Sequence, residues 1–124
     1  MEVMEVMTLR EICKALEVSR RAVQGYEKAG LVSATDRNKY GHLLYDEAAM
    51  LRIARIQFYQ QLGFSIKEII GIIDAPNILV KAALEAQVQK LKKEKAEISE
   101  LIEKANQVIA SLYSNKEYGE TNEG

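Results

Sequence analysis

Residues 7–31 read MTLREICKALEVSRRAVQGYEKAGL and contain two helix starts of one design. In each start, a capping residue follows an apolar residue and precedes a second apolar residue by four positions. A side-chain oxygen at the cap satisfies an unpaired backbone N–H, and the apolar pair fixes the direction in which the chain enters the helix. Two later segments repeat the design. The four sets are Met7-Thr8-Ile12, Val18-Ser19-Val23, Tyr45-Asp46-Met50 and Phe64-Ser65-Ile69.

The order of these starts predicts a mainly α-helical winged helix-turn-helix with a small β wing. A helix over 8–16 and a second over 19–29, ended by Gly30, are separated by a tight turn. Leu31-Val32 and Leu43–Tyr45 are predicted as the two wing strands, and two more helices begin at Asp46 and Ser65. The inner face of the last of these is predicted to carry Ile66, Ile69, Ile70 and Ile73. Cys13 continues the apolar stripe of the first helix, so we expect a small buried side chain rather than a metal ligand.

The outer face of the second helix is the predicted DNA-reading surface. Val23 and Tyr26 point inward, which leaves Arg20, Arg21, Gln24 and Lys28 outside, where arginine can pair with guanine and glutamine with adenine. The alternative is an ordinary solvated face. The wing tip adds candidate contacts that can reach phosphates beside the groove. These candidates are Arg37, Asn38, Lys39 and His42. Arg52, Arg55 and Lys67 are further exposed cations on the third and fourth helices, and Lys67 lies at a helix start that suits a phosphate.

Charge is distributed unevenly, although the net charge is only −1. Residues 8–67 contain ten Lys and Arg against six Asp and Glu, whereas residues 68–124 contain seven against ten. A cationic first half joined to an acidic second half suits a DNA-reading domain followed by an acidic extension.

A heptad repeat follows Pro76 and continues to about Tyr113 without Pro or Gly. Apolar residues at the a and d positions form a narrow seam on a helix about 55 Å long, which a 14 kDa monomer has little means to cover. We therefore expect a homodimeric coiled coil; the alternative is a helix that folds back on its own domain. The seam consists of Leu84, Val88, Leu91, Ile98, Ile102, Ala105, Ile109 and Leu112, with Lys95 at one a position. The predicted organisation is a tail over 1–7, the DNA-binding domain over 8–75, the coiled-coil helix over 76–113 and a flexible polar tail over 114–124.

Other classes of protein find little support. One cysteine excludes an internal disulfide, no apolar run reaches the roughly 20 residues of a membrane span, and the acidic start does not suit a secretory signal. We expect a cytoplasmic protein with no cofactor. Paired carboxylates, a Ser/His/Asp set, a Gly-rich phosphate loop and a metal cluster are all missing, so we expect no enzyme.

The chain resembles the mercury-resistance-regulator (MerR) family of bacterial transcription factors. The likeness rests on four short motifs in a fixed order: the Val18-Ser19 turn, Tyr26-Glu27 before Gly30-Leu31, a wing from Arg37 to Gly41 that closes on Tyr45, and Leu62-Gly63-Phe64-Ser65. The resemblance implies dimers joined by an antiparallel coiled coil. It also implies binding to pseudo-palindromic promoter sites and bending or untwisting of the DNA, usually under an effector's control. By match, Arg20, Arg21 and Gln24 approach base edges or phosphates, Tyr26 touches a phosphate and Arg37 grips the backbone.

The chain departs from the family pattern at three positions. Gln24 stands where the family usually has arginine, Gly25 replaces a tyrosine, and Leu43 replaces a wing arginine, so two cationic contacts are missing. Each lost phosphate contact lowers affinity and flattens the salt dependence. No cysteines lie near the start of the long helix, and about eleven residues follow Tyr113, so we expect neither metal sensing nor an enclosed ligand pocket.

These observations predict a dimeric, sequence-specific regulator that binds double-stranded DNA. The alternative is a winged-helix interaction or architectural module that has lost operator reading. RNA polymerase at the promoter stays open as a further partner, and the effector stays unknown.

Overall fold

The structure, a computed structural model, describes the backbone of residues 6–123 and the side chains of residues 6–114. The chain divides after Ala83 into two compact units, each of which is described by itself. The first unit forms a winged helix-turn-helix, as predicted. In chain order the elements are β1 (Val6–Thr8), α1 (Leu9–Leu16), α2 (Arg20–Lys28), β2 (Asp36–Arg37), β3 (Leu43–Asp46), α3 (Glu47–Leu62), α4 (Ile66–Ile72) and α5 (Asn77–Glu123).

All four predicted helix starts are confirmed. The side chain of each capping residue accepts a hydrogen bond from the backbone N–H three residues on, as the caps of α1, α2, α3 and α4 show. Thr8 with Glu11 and Ser65 with Glu68 also form complete capping boxes. The turn between α1 and α2 is closed by Glu17, whose φ of 52° lies in the left-handed region. These local bonds set where each helix begins without help from distant parts of the chain.

The sheet differs from the prediction. Its three antiparallel strands lie in the order β1-β3-β2, with Met7 opposite Tyr45 and Asp36 opposite Leu44. The strand predicted at Leu31-Val32 is wrong. The Leu31 N–H donates to the Tyr26 carbonyl at the end of α2, at 2.9 Å, and the Leu31 carbonyl accepts a bond from the Arg52 guanidinium, so neither group is left for a strand ladder.

The predicted N-terminal tail over 1–7 is partly structured. Val6 and Met7 belong to β1, while the rest of that segment lies outside the described residues. Strand pairing of β1 with β3 places the Thr8 cap at the sheet edge, directly before α1.

The core of the first unit takes one or more side chains from nearly every helix. Fully buried residues include Ile12, Val23, Tyr45, Ile53, Ile56 and Ile69. Two predictions of burial are wrong. Ile70 is 52% exposed. The inward-facing side of α4 and its C-cap is occupied by Ile66, Ile69 and Ile73, and the side chain of Ile70 is directed toward solvent beside them. Cys13, expected to be buried, is a free cysteine of intermediate exposure.

Helix α5 has 47 residues and ends at Glu123, past the predicted end near Tyr113. The flexible tail predicted over 114–124 is therefore helical up to Glu123, and Gly124 lies outside the described residues. The prediction rests on polar composition, which by itself does not prevent a helix, since Lys and Glu are good helix formers. The seam residues from Val88 onward, Lys95 included, are exposed except for Leu91, which is intermediate.

Candidate nucleic-acid interface

Helix α2 presents the predicted polar face to solvent. Arg20, Arg21, Gln24 and Lys28 are all exposed, and the opposite face is held by Val23, which is fully buried. The apolar pair Val18 and Val23 brackets the Ser19 cap, whose hydroxyl accepts from the Ala22 N–H at 3.0 Å. This arrangement fixes the rotation of the helix about its axis, and the rotation decides which side chains face outward.

A groove of about 450 Å3 lies where α1, α2 and the wing meet. It brings together Arg20 and Gln24 from α2 and His42 and Leu43 from the wing. Arg10 from α1 joins them, and none of the lining residues is acidic. Within the part of the chain that the structure describes, the side chains of Arg10 and Arg20 form no ion pair or hydrogen bond, so their charge is available to an anion.

The wing stands beside α2 because of a buried tyrosine. The Tyr45 hydroxyl, at the inner side of β3, donates to Glu27 Oε1 of α2 at 2.9 Å. Burial, and then the bond to Glu27, raise the pKa of Tyr45, so the hydroxyl stays protonated and remains a donor. Tyr45, predicted as a wing-strand residue and as the apolar residue before the Asp46 cap, is thereby also a link between the wing and the recognition helix.

The wing tip is organised by Asn38 and Arg37. Asn38 Oδ1 accepts from the N–H groups of Tyr40 and His42, at 2.9 and 3.0 Å. Arg37 Nη1 donates to the Gly41 carbonyl at 2.7 Å, and Gly41 itself adopts a φ of 84°. Asn38 is therefore a structural residue of the tip. Arg37 uses one of its five N–H donors in this way, so the other four can still reach a phosphate.

Lys39 and His42, the remaining predicted contacts of the wing, are exposed. Lys39 Nζ lies 5.2 Å from the centre of the Tyr40 ring, and His42 lines the groove. Lys67 is exposed in the first turn of α4. The structure thus places Lys39, His42 and Lys67 on the surface, where a nucleic acid can reach them.

Tyr26 does not lie on the exposed face. Its side chain is 3% exposed, and its hydroxyl donates to Gln60 Oε1 of α3 at 2.7 Å. Burial raises its pKa. The hydroxyl proton is committed to Gln60, so Tyr26 contributes to the packing of α2 against α3. A phosphate contact by Tyr26 stays a prediction.

Arg52 also has a structural role instead of the predicted exposed one. Its guanidinium makes two parallel 2.8 Å bonds to the carboxylate of Asp74 and a third bond to the Leu31 carbonyl. The pair raises the pKa of Arg52 and lowers that of Asp74. Arg55 is exposed as predicted, although its Nε donates to the Tyr59 hydroxyl at 3.0 Å.

Sequence reasoning missed Arg10. The apolar stripe of α1 leaves Arg10 on the outer face, and that position was the only available signal. Its place in the groove depends on the wing, about 30 residues further along the chain, which no local pattern specifies.

Among the side chains that the structure describes, residues 6–114, no group of three or more His, Cys, Asp or Glu could hold a metal ion. No helix within residues 6–123 is long and apolar enough to cross a membrane.

Comparison with known proteins agrees with this geometry. Residues 7–75 match the family described as "MerR HTH family regulatory protein". The chain is 29% identical over 104 residues to the HTH-type transcriptional activator mta of Bacillus subtilis, a match that covers 84% of this chain and 40% of mta. The chain thus spans about two fifths of the length of curated relatives such as mta.

Two solved structures share the fold. MtaN, the N-terminus of the Bacillus subtilis multidrug transporter activator, is 28% identical, with a TM-score of 0.65 over 83% of this chain and 97% of MtaN. HiNmlR, described as a MerR family regulator lacking the sensor domain and bound to promoter DNA, is 22% identical. Its TM-score is 0.65 over 80% of each chain. Since the family match covers more than half of the residues, the chain belongs to the MerR HTH family of regulatory proteins.

Proposed function

We propose that this chain is a dimeric, sequence-specific DNA-binding regulator of transcription that acts at a promoter pseudo-palindrome by bending or untwisting the DNA. The observation that carries the proposal is the groove between α2 and the wing, where two arginines and a histidine meet without a carboxylate. Phosphate contacts supply most of the affinity of such proteins, and base edges supply the sequence preference.

The exposed face of α2 supports the reading of sequence. Arg20, Arg21 and Gln24 have side chains that can make bidentate contacts with guanine or adenine in a major groove. Members of this fold class that bind DNA include HiNmlR, whose structure is described as bound to promoter DNA. We propose the same class of ligand here, with the chain acting in the cytoplasm and RNA polymerase as a further partner at the promoter.

The exposed seam on α5 supports the dimer. Val88, Ile98, Ile102, Ile109 and Leu112 are all exposed in the single chain. Leu101 and Val108, one position before two a residues, are exposed as well and broaden the apolar face in the second half of the helix. Exposed apolar surface of this extent is typical of an interface, and two copies of the helix would cover it. The family likeness favours antiparallel pairing, with Lys95 reaching outward to water.

A second candidate function is a winged-helix interaction module with weakened operator reading. It is favoured by the buried Tyr26, whose hydroxyl is bonded to Gln60, and by the neutral Gln24 and Leu43 in the groove. Such a module would keep the fold and the dimer but show no preference among DNA sequences.

Selection from random duplex DNA at near-physiological salt separates the two candidates. We expect an enriched inverted repeat whose binding weakens steeply with salt. The variant Arg20→Ala/Arg21→Ala should lose affinity for that repeat. Lys92→Ala/Lys93→Ala, an adjacent pair of cations on α5, removes the same charge and should bind normally. Failure to enrich any sequence with a dimer still present would favour the interaction module.

A further inference from the structure

The family resemblance leads us to expect two cations in the groove that are missing. The groove also contains one cation that the resemblance does not lead us to expect. Gln24 and Leu43 are neutral, and both line the groove. Arg10 of α1 lines the same groove. We infer that Arg10 is a DNA-contact residue that binds a backbone phosphate between α2 and the wing, in place of the cations missing at Gln24 and Leu43. This inference rests on the proposed function and deepens it.

Arg10 is held in place and is not neutralised. Leu9 and Ile12, on either side of it, are buried and fix the position of α1. The adjacent acid, Glu11, is committed elsewhere, because its Oε1 accepts from the Thr8 N–H at 2.8 Å in the capping box. The Arg10 side chain is exposed and, across the described part of the chain, has no hydrogen bond or ion pair of its own.

A phosphate suits the groove better than a base edge does. The groove draws on three separate elements: two cations, Arg10 of α1 and Arg20 of α2, and the imidazole of His42 from the wing. Their N–H donors therefore surround a bound anion instead of projecting along one helix. A guanidinium binds phosphate oxygens through two parallel N–H bonds. Such contacts position the protein on the duplex and carry no direct sequence information. The phosphate could also be a free ion, and the experiment distinguishes that source.

Fluorescence anisotropy at several salt concentrations tests the inference on two probes. These are the duplex enriched by selection and a duplex of equal length with the same bases shuffled. Arg10→Gln should weaken binding to both probes by the same factor, about tenfold for one charge-assisted contact. It should also reduce the slope of log K against log salt by about 0.9. Lys14→Gln, which removes an exposed cation from the same helix but outside the groove, should leave both quantities unchanged.

A rescue variant tests whether Arg10 replaces the missing cations. Gln24→Arg in the Arg10→Gln background should restore the affinity and the slope, because position 24 is exposed and lines the same groove. Unchanged binding by Arg10→Gln, equal losses for Arg10→Gln and Lys14→Gln, or a loss confined to the enriched probe would each overturn the inference.

The remaining outcomes separate this inference from the proposed function. If wild-type protein binds neither probe, the proposed function fails and the inference fails with it. If wild-type protein binds DNA and only the binding of inorganic phosphate, measured calorimetrically, depends on Arg10, the groove takes a free ion and the inference alone is wrong.

Discussion

At the scale of single residues, Arg52 shows how one side chain can set the path of a loop. Its guanidinium links α3 to the Leu31 carbonyl, which follows α2 in the chain, and to Asp74, which follows α4. A planar guanidinium can satisfy both partners at once, whereas an ammonium group has no such fixed fork. Arg52 therefore holds the start of the wing connection against the helical part of the first unit.

Replacing Asp74 with Asn should lower the free energy of unfolding at neutral pH and have no effect in acid. The Arg52 guanidinium holds the pKa of Asp74 below its ordinary value in the folded protein. A carboxyl of lowered pKa stabilises the fold above its unfolded pKa, near pH 4, and loses that contribution as pH falls through the folded pKa. Urea unfolding of both proteins from pH 7 to pH 2.5 measures the difference. Glu85→Gln, an exposed acid on α5, is the control, and a difference for Asp74→Asn that stays constant with pH would contradict the argument.

Two glycines should respond in opposite ways to alanine. Gly25 lies inside α2, and a Cβ added there would meet nothing within 4 Å, so Gly25→Ala should stabilise the protein by about 1 kcal/mol. Gly63 ends α3 with a φ of 109°, a left-handed conformation, so Gly63→Ala should destabilise it by about 1 to 2 kcal/mol. Chemical denaturation measures both changes, and two changes of the same sign would show that one of these backbone assignments is wrong.

At the scale of elements, what was predictable depended on the distance between interacting residues. The four caps act over three residues, and all four were predicted and are confirmed. The apolar pair Leu31-Val32 predicts a strand, but the Leu31 carbonyl accepts a hydrogen bond from Arg52, which is 21 positions further along the chain. Strand β1 pairs with residues almost 40 positions further on, so the chain near Val6 alone has no signal for it.

The candidate site follows the same rule. The exposed face of α2 came from helical periodicity, and the structure places Arg20, Arg21, Gln24 and Lys28 as that periodicity requires. Helical periodicity does not predict the roles of Tyr26 and Asn38. Tyr26 bonds to a partner on another helix, and Asn38 acts through the hydrogen bonds of the wing tip. The membership of Arg10 in the groove depends on how α1 and the wing meet.

The wing tip should lose its order when Asn38 is truncated. Asn38→Ala removes the oxygen that accepts from the Tyr40 and His42 N–H groups, so those two amides should exchange hydrogen faster. Global stability should change little, because the tip is exposed. Asn38→Asp keeps an acceptor at the same place and should keep the two amides protected. Hydrogen exchange followed by NMR reads both amides separately, and equal protection in Asn38→Ala and wild type would show that the side chain does not organise the tip.

At the scale of the whole molecule, the regulatory proposal depends on a second copy of the chain. A pseudo-palindromic site presents two equivalent half-sites, and a dimer with a two-fold axis matches them. The apolar residues that would join two chains lie on α5, in the unit after Ala83, apart from the cations that would contact the DNA. A substitution on α5 can therefore test the dimer without altering the side chains that would contact the DNA.

Placing a charge in the seam should separate the dimer into monomers. Ile102 occupies an a position and is 57% exposed in the single chain, so an aspartate there would be buried without a partner only if a second helix covers it. Ile102→Asp should therefore sediment as a monomer at micromolar concentration. The control is Ala86→Asp, which puts the same group at an outer f position of the same helix and should leave the dimer intact. Because monomers hold one half-site each, Ile102→Asp should also lose most of its affinity for an inverted repeat while keeping the folded first unit, which circular dichroism would report. A dimer that survives Ile102→Asp would place the contact between chains elsewhere than on this seam.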